Sequence, residues 1–466
     1  MQYERYHIPT APAPPKHTPI GKFKIIRDTE ICRSCGKCIK ACIYGVHERK
    51  ARDDRSMEEP KSHLCKNCFR CIQECPTHAL TMLMNPEYSA LGDFYWEPHR
   101  FFAIAFEAET GRIPVLGAGY RGPFGGSWFD GMWTDMSEIV RPTRDGIHGR
   151  ECISTSVDVG RRPPFLEFGA DGRVLTKMPA ILDIQLPIIF DVLPDGFRTK
   201  EMTAVLSHAA AWLGTLCILP LEEAAEISVQ QRPHIVPLVG ERIREADVEP
   251  IAAATVVEIK KGDSFEEILR EVREINKRAL ISARMPLVPG VLDEVLSLCE
   301  SKIDAAHVVA DQWGFEQLRD EGKRHLRQTL KDLHQGLVER AMRDDISLIV
   351  SGGIAAAEHV PKAIILGADV VAVDRAMMIA LECRLCATCT APQICPVEIQ
   401  TAEHDWAVQR IVNVVGAWRD QLLEVMGAMG IREVRRLRGE LGRAMFVEDL
   451  EGEIFAPLFK EGAPHG

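Results

Sequence analysis

The stretch ISLIVSGGIAAAEHVPKAIILGADVVAVDR occupies residues 346–375. It opens on an apolar, β-branched run and turns at Gly352-Gly353. Apolar residues at helical spacing follow in HVPKAIIL, and a second β-branched run, DVVAVD, closes it. Short β-branched runs bounded by glycine read as strands, and the amphipathic stretch between them reads as a crossover helix. A parallel pair needs such a crossover because both strands start at the same end of the sheet.

The same alternation extends back along the chain. Strand-like runs are LPIIFDV (186–192), TLCIL (215–219), HIVPLV (234–239), ATVVEIK (254–260), ALISARM (279–285), AAHVVAD (305–311), ISLIVSGG (346–353) and DVVAVD (369–374). Helical stretches such as SFEEILREVREINK and VLDEVLSLCESK lie between them. Eight strands with interleaved helices is the count for a closed α/β (β/α)8 TIM barrel, here over residues 181–400. An open doubly wound sheet is the alternative that the pattern allows. Residues 1–24 read as an irregular arm. Residues 96–180, rich in glycine, proline and aromatics, read as a connecting segment draped over the barrel. Residues 401–466 read as a helical extension, helical in pattern over 404–442. The run GAGYRG (117–122) has dinucleotide-fingerprint spacing, but Pro123 and Gly125-Gly126 follow at once, so no helix opens there and it reads as a loop.

The chain has 466 residues, room for a barrel and a small module, and a formal net charge of −11, which argues against a nucleic-acid surface. No run of about 18 apolar residues exists to cross a membrane. The opening residues are polar and proline-rich, without the apolar core of a secretory signal. The expected location is the cytoplasm, where disulfides are disfavoured, so the 15 cysteines need another reason. Clustered thiols in that setting indicate metal.

Two clusters lie in residues 25–95. They are Cys32-x2-Cys35-x2-Cys38-x3-Cys42 and Cys65-x2-Cys68-x2-Cys71-x3-Cys75-Pro76. A four-iron cube offers four corners, one thiolate each. Ligands at i, i+3 and i+6 wrap three corners, and the fourth Cys starts a helix and reaches the other cube. One [4Fe–4S] cluster is therefore assigned to Cys32, Cys35, Cys38 and Cys75, and the other to Cys65, Cys68, Cys71 and Cys42. Zinc sites pair two ligand dyads and do not use a run of four. The module resembles the bacterial two-cluster ferredoxins, small α+β proteins that transfer single electrons. Ile43 stands where proline usually follows the first run, which leaves ligation intact.

A wire of one-electron centres needs a terminus that converts single electrons into a two-electron reaction, and a flavin does this. In a barrel, the loops after strands seven and eight form the usual phosphate site. Here Ser351, Gly352 and Gly353 end one strand, and Asp374 and Arg375 end the next. The glycines let backbone N–H groups approach an anion and Arg375 adds a charge, although a plain strand-end turn would look the same. A single-phosphate site without a Rossmann unit points to FMN.

The segment LKDLHQGLVERAMRDDISLIVSGGI, then HVPKAIILGADVVAVDRAMMIALEC, then CPVEIQT, resembles the FMN-binding synthase domain of glutamate synthase. In that family His334 and Gln335 match a His-Gln pair before strand seven, and Gly352-Gly353 match the FMN-phosphate glycines. The tail IVNVVGAWRDQLLEVMGAMGI is similar to the segment after the family's cluster. SEIVRPTRDGIHGRE and FDVLPDGFRTKEMTAVLSHAAAWLGT are similar to its barrel start, above all in the shorter, archaeal-type members with a ferredoxin insert. The resemblance implies reductive amination of 2-oxoglutarate or a related 2-oxo acid through reduced FMN. It also implies ferredoxin or a separate reductase subunit as donor, and separate amidotransferase and β-helix subunits as possible partners.

The family places a cluster after strand eight, and here Cys383-x2-Cys386-x2-Cys389-x5-Cys395-Pro396 stands there. Cys383, Cys389 and Cys395 correspond to the three ligands of the long members' three-iron cluster, with a longer last gap, and Cys386 is extra. Four thiolates complete a cube, so a third [4Fe–4S] is expected, with [3Fe–4S] as the alternative. Cys152, Cys217 and Cys299 are isolated and read as core thiols.

The substrate loops depart from the family. After strand four Lys260 is kept, but Lys261-Gly-Asp263-Ser-Phe265 replaces Gln-Gly-Ala-Lys-Pro-Gly. After strand six Asp311-Gln312-Trp313-Gly314-Phe315 replaces Asp-Gly-Gly-Thr-Gly-Ala. Arg284 stands where the family has lysine, still a cation able to face the flavin's N1–O2 edge. Trp313 and Phe315 would fill space the substrate uses. An electron-transfer subunit with no keto-acid substrate is therefore the alternative function.

Anaerobically purified protein is expected to hold about 12 irons in three cubes. Cys386→Ala should turn the third cube into a three-iron cluster detectable by EPR. Iron near about eight, or an unchanged spectrum in the variant, would refute the four-thiolate assignment.

Overall fold

The computed structural model describes residues 6–114, 125–136, 153–162, 165–317, 322–386, 395–399 and 402–454. Its centre is a closed ring of eight parallel strands, which excludes the open sheet. In chain order they are Ile188–Phe190, Cys217–Pro220, Ile235–Val239, Val256–Lys260, Leu280–Pro286, Ala305–Val309, Ser347–Ser351 and Val370–Val373. Strand eight returns to strand one, with Ala372 opposite Ile189. Each strand-like run of the sequence contributes one of these strands.

Helices follow every strand. The longer ones are Lys200–Leu213, Phe265–Ile275, Val291–Glu300 and Leu326–Glu339. The helix Phe265–Ile275 shows why: Phe265, Ile268, Leu269 and Val272 are buried at helical spacing while glutamates and arginines face water. Lys200–Leu213 is closed at both ends, by the Thr199 side chain accepting from the Met202 N–H and by Gly214 in the left-handed region.

The N-terminal module is a compact pair of halves. Strands Phe23–Arg27 and Leu80–Met84 pair antiparallel, from Phe23 opposite Met84 to Arg27 opposite Leu80. The short helices Lys37–Ala41 and Arg70–Gln73 pack on one another. Cys38, Cys65 and Cys71 are buried among Ile25, Val46, Met57 and Leu80.

The connecting segment is more ordered than its composition suggests. Residues Pro98–Thr110 form a helix, with proline at its start and Gly111 in the left-handed region at its end. Strands Val157–Gly160 and Ile181–Ile184 pair antiparallel outside the barrel, so the ring itself begins at Ile188. The GAGYRG run and all of SEIVRPTRDGIHGRE lie outside the described residues.

The helix His404–Met429 packs on Pro98–Thr110 and Lys200–Leu213. The N-terminal arm, irregular in form, runs along it. The buried Asn413 amide accepts from the Ala11 N–H at 3.1 Å and donates to Ala11 O at 2.7 Å and Ala108 O at 2.8 Å. Arg410, fully buried, donates to Ala13 O and Ala380 O. One side chain thus joins the arm, the connecting helix and the C-terminal helix. Asn413→Leu would leave the buried Ala108 carbonyl unpaired and free the Ala11 N–H and carbonyl. A loss of about 2–4 kcal/mol is expected by urea unfolding followed by circular dichroism. A loss under about 0.5 kcal/mol would show that the arm is held elsewhere.

Candidate functional site

Barrel interiors are ordinarily filled by branched apolar side chains. Near its C-terminal end this one carries charge instead. Asp191 follows strand one, Glu258 comes from strand four, Arg284 from five, His307 from six and Ser351 from seven. Arg284 spans the barrel to Asp191 through Nη1–Oδ1 at 2.7 Å and Nη2–Oδ2 at 3.1 Å, and its Nη1 also reaches Glu258 Oε1 at 2.9 Å. His307 Nδ1 lies 3.0 Å from Glu258 Oε2, and its Nε2 lies 3.0 Å from Ser351 Oγ. The Ser282 hydroxyl donates to Glu258 at 3.0 Å.

These groups are almost wholly sealed from water: Glu258, Ser282 and His307 are 0% exposed. Burial pushes the Asp191 carboxyl up, but Arg284 and His307 outweigh it and hold it below the usual carboxylate range. Burial acts the same way on Glu258, where His307 and then Arg284 win. Burial lowers Arg284, and the two carboxylates more than reverse that, so its charge is locked in.

At the rim, Lys260 is the register partner of Arg284 and is exposed. Gly352 and Gly353 have φ of 93° and 70°. A Cβ on Gly352 would lie 2.5 Å from Asp311 O, and one on Gly353 would lie 2.7 Å from Gly314 Cα. The close approach of the strand-six loop therefore requires both glycines, whatever else they hold. The Gly353 carbonyl accepts from the Tyr95 hydroxyl. Among the described residues, the N–H groups of Gly353 and Ile354 have no acceptor. Arg375 donates to Asp374 Oδ2 and to Gln312 Oε1, both at 2.9 Å.

Aromatics cover this side of the rim. Trp313 Nε1 donates to Asp93 at 2.7 Å, and its ring lies 5.2 Å from that of Phe94. Trp96 Nε1 donates to Gln312 O at 3.0 Å. Trp128 meets Phe315 edge-on and stacks with His325. Behind them, Arg100 pairs with Asp130 at 2.7 Å, and Asp130 with His359 Nε2 at 3.0 Å. Burial raises the Asp130 carboxyl, and His359, Arg100 and Lys362 together hold it far below its ordinary range.

Of the residues expected from sequence, Lys260, Arg284 and Ser351 line one end of the barrel, and Gly352, Gly353, Asp374 and Arg375 stand on the adjoining rim. His334 lies at the opposite end, where Arg343 Nε donates to its Nδ1 and Gly367 packs against its ring, a structural position. Asp191, Glu258, His307, Tyr95 and Asp130 were not singled out. A signal existed for two of them: Glu258 and His307 interrupt buried parallel strands, where charge needs a partner.

Among the cysteines, the thiols of Cys42, Cys65 and Cys68 gather around Cys71. Burial first, then these neighbours, push the Cys71 thiol up to about 11. Arg27 Nη1 lies 3.8 Å from Cys32 Sγ and 3.9 Å from Cys38 Sγ. In the third run Cys383 is buried and Cys386 exposed; Cys389 lies outside the described residues. The Leu385 N–H points at Cys383 Sγ at 3.3 Å. Cys217 and Cys299 are buried.

Known proteins match both halves. Residues 241–432 match the conserved region in glutamate synthase, and residues 24–76 match a 4Fe-4S dicluster domain. An archaeal-type glutamate synthase [NADPH] of Dehalococcoides mccartyi is 24% identical over 90% of this chain and 94% of its own. The archaeal glutamate synthase [NADPH] of Archaeoglobus fulgidus is 24% identical over 93% and 96%. A ferredoxin of Pyrobaculum islandicum is 33% identical over 16% of this chain and 66% of its own.

Arg284→Met would strand two buried carboxylates. A loss of about 3–5 kcal/mol is expected at neutral pH. In the native chain the depressed carboxyls add stability above their unfolded pKa that fades as pH falls through their folded values. In the variant Asp191 takes up a proton more readily, so the gap between the two proteins should narrow towards about pH 5. Urea midpoints at both pH values check this; a gap independent of pH would mean that the network is not ionised.

Proposed function

We infer, from a chain that carries the conserved region of glutamate synthase behind a 4Fe–4S dicluster domain, that this protein is an iron–sulfur flavoprotein oxidoreductase of glutamate-synthase type. Electrons pass from the N-terminal clusters to the cluster of Cys383, Cys386, Cys389 and Cys395, and then to FMN at the C-terminal end of the barrel. The observation that carries the reading is a position. Arg375 begins the helix Arg375–Ala380, and Cys383 follows its end, so only about 9 Å of helix separates the phosphate rim from the third cysteine run.

The residues present suit FMN. The Gly353 and Ile354 N–H groups and Arg375 would hold its phosphate. Lys260, with Arg284 beneath it, would face the pyrimidine edge; Ser351 and Asp374 complete the rim. When bound, FMN exchanges single electrons with clusters and electron pairs with a substrate. The substrate on this reading is 2-oxoglutarate or a related 2-oxo acid, aminated with ammonia from solution or from a separate amidotransferase. A nicotinamide site, where one is used, belongs to a separate reductase subunit.

A second reading, an electron-transfer subunit without a keto acid, is favoured by the strand-six loop. Trp313 is tied to Asp93 and Phe315 is held by Trp128 where the family has small residues. Reduced ferredoxin is expected to bleach the flavin, and NADPH alone is not. Adding 2-oxoglutarate and ammonium should then reoxidise the flavin with glutamate appearing. A flavin that stays reduced would establish the second reading, and direct bleaching by NADPH would sink the relay.

A further inference from the structure

The chain is acidic, yet residues 21–85 carry 13 Lys and Arg against 8 Asp and Glu. The imbalance is sharpest around the first cysteine run. Between Ile31 and Gly45 there are three cations, Arg33, Lys37 and Lys40, and no acidic residue. All three are exposed, as is Cys35 between them, and exposed Ile31, Ile43 and Tyr44 add apolar surface to the same stretch. Cationic rim and apolar contacts together are the composition of a protein-docking surface.

The second run faces elsewhere. His63, Leu64 and Lys66, which flank Cys65, line a cavity of about 560 Å³ together with Glu382, Cys383 and Arg384. No residue of the first run borders this cavity. The loop that presents Cys65 thus shares one space with the first ligand of the third cluster. The arm reinforces the arrangement: His17 pairs with Glu382 at 2.7 Å just before the chain enters the module.

We propose that the N-terminal module is polar in use. An acidic, ferredoxin-type one-electron carrier protein docks on the Arg33–Lys37–Lys40 face. The Cys32/Cys35/Cys38/Cys75 cluster is the entrance, and the Cys42/Cys65/Cys68/Cys71 cluster is the exit to the Cys383 cluster. Each transfer oxidises the carrier by one electron and reduces the first cluster by one, with no bond made or broken. This deepens the function proposed above and rests on its assignment of iron to all three runs.

The test uses the iron-loaded full chain and a reduced, acidic bacterial two-cluster ferredoxin. Iron content and EPR before mixing report separately whether the three clusters exist; their absence would fail the underlying assignment. With clusters in place, the triple variant Arg33→Glu/Lys37→Glu/Lys40→Glu should slow cluster reduction roughly tenfold or more at low salt and abolish its salt dependence. Reduction by dithionite should stay unchanged. The double variant Arg173→Glu/Lys177→Glu, two exposed cations outside the module, should react with ferredoxin as the native chain does. A slowed double variant, or an unaffected triple variant, overturns the entrance. In Cys68→Ala, freeze-quenched EPR should show the first cluster reduced while the third stays oxidised. A third cluster reduced at the native rate overturns the exit.

Discussion

Two carboxylates inside a closed barrel would ordinarily tear it open or take up protons. Asp191 and Glu258 do neither because Arg284 stands between them, held by both, with His307 bridging Glu258 to Ser351. The arrangement stitches strands one, four, five, six and seven together at one end. Replacing such a network by packed hydrophobics is often neutral or stabilising, so stability alone does not explain it. A barrel end designed only to be filled would use valine and isoleucine, as strands seven and eight do elsewhere. Fixed charge beneath a cofactor, unable to reorganise, is what an enzyme gains from the arrangement.

The same constraint shapes the rim above. Because Arg284 is saturated by two carboxylates, it offers little free positive charge upward. Lys260, its register partner, is the exposed cation on that edge. Arg375 is shared between Asp374 and Gln312. An anion at the rim would therefore rely first on backbone N–H groups, and Gly353 and Ile354 supply them. The turn is held open by its surroundings: the Tyr95 hydroxyl donates to the Gly353 carbonyl, and the Ala355 N–H donates to His359 Nδ1.

Much of the fold was legible because its signals are local. Parallel strands buried on both faces read as short β-branched runs, and the helices between them keep their stripe. The first two cysteine runs match a 4Fe-4S dicluster domain, as their spacing alone announces. Long-range features were not legible. Nothing local marks Asp93, Tyr95 and Trp96 as a cover for loops more than 200 residues away, or Asn413 as the clasp of an N-terminal arm. In the connecting segment 96–180, composition gave no sign of the helix Pro98–Thr110, which proline opens and Gly111 closes. His334, matched to the family only as part of the helix before strand seven, sits in that helix at the far end of the barrel, against Gly367.

The strand-six loop joins the two halves of the molecule. Asp93 lies at the end of the ferredoxin-like module and Trp96 just after it, and they bind the loop at Trp313 and Gln312. Gln312 in turn holds Arg375 beside the Gly352-Gly353 turn. The module is thus tied to this rim by Trp313 and, separately, through Trp96, Gln312 and Arg375. The strand-six loop thus anchors the chain at the end of the N-terminal module through Trp313 and Gln312. A large residue at 313 is then a consequence of that anchoring, since glycine or threonine could not reach Asp93. A smaller side chain at 313 would release Asp93 and loosen the strand-six loop from the segment that covers it.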